Sequence, residues 1–140
     1  MLLTRKAEFS ASHVCRNPAL GEDENRKLYG ANANPHGHGH NYVLEVTIEG
    51  DPDPVTGMVF DLRELKEIIN AEVVDPMDHR FLNHEVPPFD QVVPTTENIG
   101  LLIHQRLEQD WHTVFPGPWP QLEKVRIAET ERNIFEVRES

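Results

Sequence analysis

A chain of 140 residues, 38% hydrophobic and 26% charged, has the composition of a folded globular protein and the length of one ordinary domain, residues 1–140, rather than two. The formal net charge of -11 argues against general binding to nucleic acid or an anionic membrane, both of which need clustered Lys and Arg. No apolar run approaches a membrane span, Met1 to Arg5 lacks a signal-peptide core, and the single cysteine, Cys15, allows no internal disulfide, so a cytoplasmic protein is expected.

Residues 3–15 read as a first strand, with Leu3, Ala7, Phe9 and Ala11 on one face and His13 continuing it. The following 24 residues, 14–37, show no clear period and exceed the roughly 12–15 residues usual for a connection inside a domain. They read as a lid or pocket wall, or more plainly as a surface excursion with a short helix around Glu22 to Leu28. Arg16, Arg26 and Lys27 are the local basic residues here and suit a small anionic substrate.

The segment ends in Pro35-His36-Gly37-His38-Gly39-His40 and enters a second strand, Tyr42 to Ile48. Tyr42, Leu44, Val46 and Ile48 form its apolar face, and His38 and His40 extend that face backwards. If the two strands pair antiparallel, His13, His38 and His40 converge at one end of a buried face. Three imidazoles with an open fourth position suit a catalytic zinc, whereas structural zinc sites are usually closed by four ligands rich in cysteine. His36 has the same parity, but Pro35 and Gly37 place it in the turn.

After turn-forming residues from Gly50 to Gly57, Asp61 caps a first helix, Leu62 to Val74, with Glu64 at capping-box spacing. Leu62, Leu65, Ile69 and Val73 are its buried stripe, and Pro76 is expected to stop it. Asp78-His79 then pairs a carboxylate with an imidazole, an arrangement suited to general acid or base work, although alone it also fits a solvated turn. Thr95 or Thr96 caps a second helix with Ile99, Leu102, Ile103 and Leu107 inward and Trp111 near its end; Glu97 in the first turn complements the helix dipole. A third strand, Leu122 to Thr130, places Val125, Ile127 and Glu129 on one face, and a last strand covers Ile134 to Arg138. Glu129, a polar group ending an apolar face, is suited to accept paired hydrogen bonds from a guanidine-like ligand edge.

The order ββααββ predicts an α+β domain: an antiparallel four-stranded sheet with two helices on one face. Its unprotected edges favour a symmetric oligomer that continues the sheet.

The motifs together resemble the 6-pyruvoyl tetrahydropterin synthase family, which includes the 6-carboxy-tetrahydropterin synthases. The resemblance rests on Phe9-Ser10-Ala11-Ser12-His13, Asn34-Pro35 with Gly37-His38-Gly39-His40-Asn41-Tyr42, Thr56-Gly57-Met58-Val59 leading to Asp61, Asp78-His79, Thr95-Thr96-Glu97-Asn98 and Glu129-Thr130. It implies the tunnelling fold (T-fold), assembled as a homo-hexamer, a dimer of trimers. It implies Zn2+ on His13, His38 and His40, Glu129 as the pterin anchor with Thr95, Thr96 and Glu97 lining that pocket across a subunit boundary, and Asp78 and His79 as two members of a catalytic triad. The third member, a cysteine six residues before the first histidine of the H-G-H motif, is Asn32 in this chain, and an amide does not replace a thiolate base. Cys15 and His36 are the candidate substitutes.

The reading that follows is a zinc-dependent carbon-oxygen lyase acting on a small pterin triphosphate, 7,8-dihydroneopterin triphosphate, with loss of triphosphate. The alternatives are a 6-carboxy-tetrahydropterin synthase of queuosine biosynthesis, a side-chain-cleaving variant, and a pterin-binding paralogue without lyase activity.

Overall fold

The computed structural model describes residues 1–138. In chain order they form β1 (Leu2–His13), α1 (Glu22–Tyr29) followed by a 3-10 turn (Gly30–Ala33), β2 (His38–Glu49), α2 (Leu62–Ile69) widening into a π-helical turn (Asn70–Val74), α3 (Asp75–Met77), β3 (Arg80–Phe81), α4 (Leu82–Glu85), α5 (Thr96–Val114), β4 (Gln121–Ala128) and β5 (Ile134–Arg138).

The sheet has five strands in the order β3-β1-β2-β4-β5, one more than the sequence predicts. The addition is β3, two residues that pair parallel with β1 at Ala11 and Ser12. Alternation is invisible over two residues; what places them is Ser10, whose N–H donates to Asp78 Oδ1 (2.8 Å) and whose carbonyl accepts from His79 N (2.6 Å). The remaining pairs are antiparallel as expected, and the whole is an α+β arrangement.

β1 and β2 pair without interruption from Leu2↔Glu49 to His13↔His38. Odd residues of β1 and even residues of β2 therefore share a face, and that face is the core: Phe9, Ala11, Tyr42, Leu44, Val46 and Ile48 are buried. α2 and α5 cover it, burying Leu65, Ile68 and Ile69 from one helix and Ile99, Ile103, Leu107 and Trp111 from the other. Gly100 allows α5 to lie close to the sheet, since a Cβ there would meet Ile127 Cγ2 at 3.2 Å and Val137 Cγ2 at 3.4 Å.

Helix boundaries also differ from expectation. Pro76 does not stop the first long helix, which runs through the π turn into α3 and ends at Met77. Proline has no N–H to donate backwards and its ring crowds the carbonyl one turn earlier, so the preceding turn widens. The carbonyl of Glu72 accepts instead from the Arg106 guanidinium (3.5 Å). Asp61 caps α2 as predicted, accepting from Arg63 N (2.9 Å). Residues 14–37 carry the short helix α1, and β1 ends at His13, leaving Cys15 beyond it with its N–H donating to Asn32 O (2.9 Å). β4 likewise ends at Ala128, so Glu129 stands in the turn that follows.

Candidate functional site

The ladder between β1 and β2 sets His13 directly opposite His38, with His40 one position further along the same face. Their imidazoles and the Glu129 carboxylate offer four ligand atoms that all lie within 4.8 Å of one another. His13 Nε2 is 3.0 Å from His38 Nε2 and 3.9 Å from Glu129 Oε1, and His40 Nε2 is 2.7 Å from Glu129 Oε1. These separations bracket the roughly 3.3 Å expected between donors on a tetrahedral ion with bonds of about 2.0 Å. Gly37 makes the entry into β2 possible: its φ is +75°, and a Cβ would approach the His13 carbonyl at 3.3 Å.

The surroundings prepare the imidazoles as ligands. His13 is 1% exposed, and its Nδ1 donates to the Pro94 carbonyl at 2.7 Å, which leaves Nε2 with a free lone pair directed at the cluster. Burial lowers the pKa of His13, against the raising effect of the Pro94 carbonyl, and burial likewise lowers that of His40, against the raising effect of Glu129. Both rings are thus kept neutral, as ligation requires. Although His40 Nε2 and Glu129 Oε1 are close, the carboxylate lies off the direction in which that nitrogen would donate. Nε2 is therefore buried with no hydrogen-bond partner among the described residues. An orphaned ring nitrogen facing two imidazoles and a carboxylate suits a cation. Tyr42, fully buried and stacked on Phe9 at 5.0 Å, lies under the cluster with its ring 5.6 Å from that of His40.

Thr96 ties Glu129 to the start of α5: its hydroxyl donates to Glu129 Oε2 at 2.5 Å, within one chain. Thr95 caps the helix, accepting from Asn98 N at 3.2 Å, and Glu97 is exposed in the first turn.

Asp78 and His79 are not part of this cluster. They sit on the outer edge of β1, on the side away from β2. Asp78 Oδ2 accepts from His79 Nδ1 at 3.0 Å, and the Ser10 N–H, with smaller help from His79, holds the Asp78 carboxyl below its usual range. His79 has φ +60°, a left-handed conformation rarely adopted outside glycine, and its side chain is 84% exposed. The imidazole is therefore oriented at Nδ1 and open at Nε2.

The two candidate substitutes for the absent thiol differ in setting. Burial, then Glu129 and Glu97, pushes the Cys15 thiol up to about 11, which disfavours a thiolate. His36 and Asn32 are exposed in the loop before β2, the Asn32 backbone being paired with Cys15. The sequence reading missed the Pro94 carbonyl, since a backbone acceptor leaves no side-chain signature. It also read Glu129 only as a ligand anchor, not as a neighbour of the histidines.

The family model for 6-pyruvoyl tetrahydropterin synthase matches residues 2–140. The 6-pyruvoyl tetrahydrobiopterin synthase of Poecilia reticulata is 42% identical over 136 residues, covering 97% of this chain and 88% of its own. The structure of the Caenorhabditis elegans 6-pyruvoyl tetrahydropterin synthase superposes with a TM-score of 0.89 at 38% identity, over 100% of this chain and 96% of that one. A dihydroneopterin monophosphate aldolase from Pyrococcus furiosus is 40% identical over 105 residues, 75% of this chain and 73% of its own. With its strand-paired histidines, its Glu129-Thr96 contact and a match along nearly its full length, the chain belongs to the 6-pyruvoyl tetrahydropterin synthase family.

Proposed function

We propose that the protein is a zinc-dependent carbon-oxygen lyase that takes 7,8-dihydroneopterin triphosphate and releases triphosphate. The observation that carries the reading is the convergence of His13, His38, His40 and Glu129, in a chain of this family. Bound to the three imidazoles, the ion would supply electrostatic stabilisation of negative charge developing on side-chain oxygens of the substrate. Glu129, steadied by Thr96, accepts hydrogen bonds from the amino-pyrimidine edge, with Thr95 and Glu97 beside it. Asp78 holds Nδ1 of His79, so that Nε2 takes and returns protons at the substrate side chain. From the edge of β1 this pair serves the cluster of a neighbouring copy, in the dimer of trimers that the family resemblance implies.

Asn32 supports a second reading. Without the thiol, the second proton transfer of the elimination has no group in place, whereas one acid-base pair suffices to cleave a carbon-carbon bond of the side chain. The Pyrococcus furiosus relative is named for such an aldolase activity. Incubating zinc-loaded protein with 7,8-dihydroneopterin triphosphate, and following triphosphate release and product mass, separates the two. Release with a pyruvoyl or carboxy product supports the lyase; a shortened side chain supports the aldolase; bound pterin without turnover sinks both for this substrate.

A further inference from the structure

Glu129 stands in the turn between β4 and β5. Its own N–H closes that turn, donating to the Asn133 carbonyl at 3.0 Å, and the Thr130 hydroxyl accepts from Arg132 N and Asn133 N. We infer that, with no pterin bound, Oε1 of Glu129 is the fourth ligand of the ion on His13, His38 and His40, and that a pterin draws this carboxylate off. The exchange rests on the pterin reading above, whereas the ligand assignment rests on the cluster alone.

The Glu129 side chain is mostly buried. Among the described residues, the side-chain nitrogens within 4.0 Å of its carboxylate are those of His13 and His40, and no Lys or Arg neutralises it. A buried carboxylate without a counter-charge is costly. Oε1 lies 2.7 Å from His40 Nε2, yet that nitrogen makes no hydrogen bond. Two electron-pair donors this close, with no proton between them, point to a cation that both bind. Imidazoles ligate in their neutral form, so Glu129 supplies the one negative charge in the donor set. A catalytic zinc keeps its fourth position exchangeable, and a carboxylate that fills that position has to be able to leave.

Thr96 decides how it leaves. From the buried first turn of α5 its hydroxyl holds Oε2, so Oε1 is the half free to turn. Accepting paired hydrogen bonds from an amino-pyrimidine edge takes both oxygens. Turning Oε1 to the ring completes that pair and removes a ligand from the ion. Ion and ring edge thus compete for one oxygen, and by linkage each weakens the other unless the ligand brings oxygens of its own to the vacated position. A hydroxylated side chain does so and a bare ring does not. Selection for a pterin with such a side chain then follows from coordination alone, without a pocket wall to read it.

The test uses the whole protein, stripped with a chelator and reloaded at fixed pH with Zn2+, or with Co2+ as a spectroscopic probe of the ligand set. Glutamine keeps an acceptor for Thr96, and a metal-free Tm no lower than that of the parent verifies folding of Glu129→Gln. The variant is expected to bind Zn2+ at least about tenfold more weakly and to shift the visible Co2+ spectrum. In the parent protein, 7,8-dihydropterin, the ring without a side chain, is expected to weaken Zn2+ binding and move the Co2+ spectrum toward that of the variant. 7,8-Dihydroneopterin, with its hydroxyls, is expected not to weaken Zn2+ binding. Equal Zn2+ affinity and identical Co2+ spectra in the two proteins overturn the ligand assignment. Dihydropterin that binds the parent without moving either readout overturns the exchange. Should neither pterin bind, the pterin reading fails and the exchange falls with it, while the comparison of parent with Glu129→Gln still decides the fourth ligand.

Discussion

Replacing Thr96 by valine removes one hydroxyl from a side chain that is 3% exposed and keeps its shape, so the perturbation is confined to Glu129. A hydrogen bond to a charged group contributes about 1.5–3 kcal/mol. Glu129 is 18% exposed at its side chain, so water compensates in part and the lower end, about 1.5 kcal/mol, is the appropriate figure. At roughly 2–4 °C per kcal/mol for a chain near this size, Tm falls by about 3–6 °C. The second effect is on pterin binding. Thr96 holds Oε2 of the carboxylate proposed to accept from the amino-pyrimidine edge, and loss of one charge-assisted hydrogen bond's worth of orientation, about 1.5 kcal/mol, weakens the pterin about tenfold. Calorimetry with unphosphorylated 7,8-dihydroneopterin at fixed pH measures this directly. An unchanged pterin affinity alongside the expected fall in Tm would refute the reasoning, because it would show that Glu129 is oriented for something other than the pterin.

Four further outcomes are expected. The metal-free protein loses stability as pH falls below about 6.5: folded His13 and His40 have lowered pKa values, so the unfolded chain takes up protons first, and a Tm that stays flat between pH 7.5 and 5.5 contradicts this. At position 79, glycine relieves the left-handed strain that alanine keeps, so His79→Gly should be more stable than His79→Ala by about 1 kcal/mol in urea titration, while both lose at least about 100-fold in turnover with zinc affinity intact. Asn25→Ala removes the side chain that accepts from Asn17 N and donates to the carbonyls of Asn17, Leu20 and Gly21, all part-buried bonds, and should cost about 1–2 kcal/mol, with faster proteolysis around residues 17–21 as the visible sign. Asn32→Cys should raise formation of pyruvoyl-tetrahydropterin from dihydroneopterin triphosphate; product mass spectra without that species would show that the missing thiol is not what limits the reaction.

The convergence of His13, His38 and His40 was legible because strand parity is a strict two-residue rule, and one antiparallel pairing follows from two apolar faces. The stripes of the long helices were legible at helical spacing, except that Leu62, read as buried, is half exposed at the first turn of α2 while Ile68 takes its place in the core. β3 was not, because two residues carry no period and their placement depends on backbone groups of Ser10, distant in sequence. Pro76 misled because the local rule for proline ignores a remote guanidinium that satisfies the carbonyl it frees. Asp78 and His79 were recognisable as a pair, yet their position on the far edge of β1 is a property of sheet order, which adjacency in sequence does not encode. Glu129 was placed by parity on the correct face; only its distance from His40 needed the fold.

The unbroken pairing of β1 with β2 binds chemistry and folding into a single inheritance. Inserting or deleting one residue in either strand turns every side chain beyond that point to the opposite face, exposing Phe9 or Tyr42 in the same stroke that scatters the imidazoles. Variation in these strands is therefore limited to exchange of residues, while changes of length are tolerated only outside them, as in residues 50–60. Libraries that seek new substrates should diversify length in that connection and hold both strands at constant length.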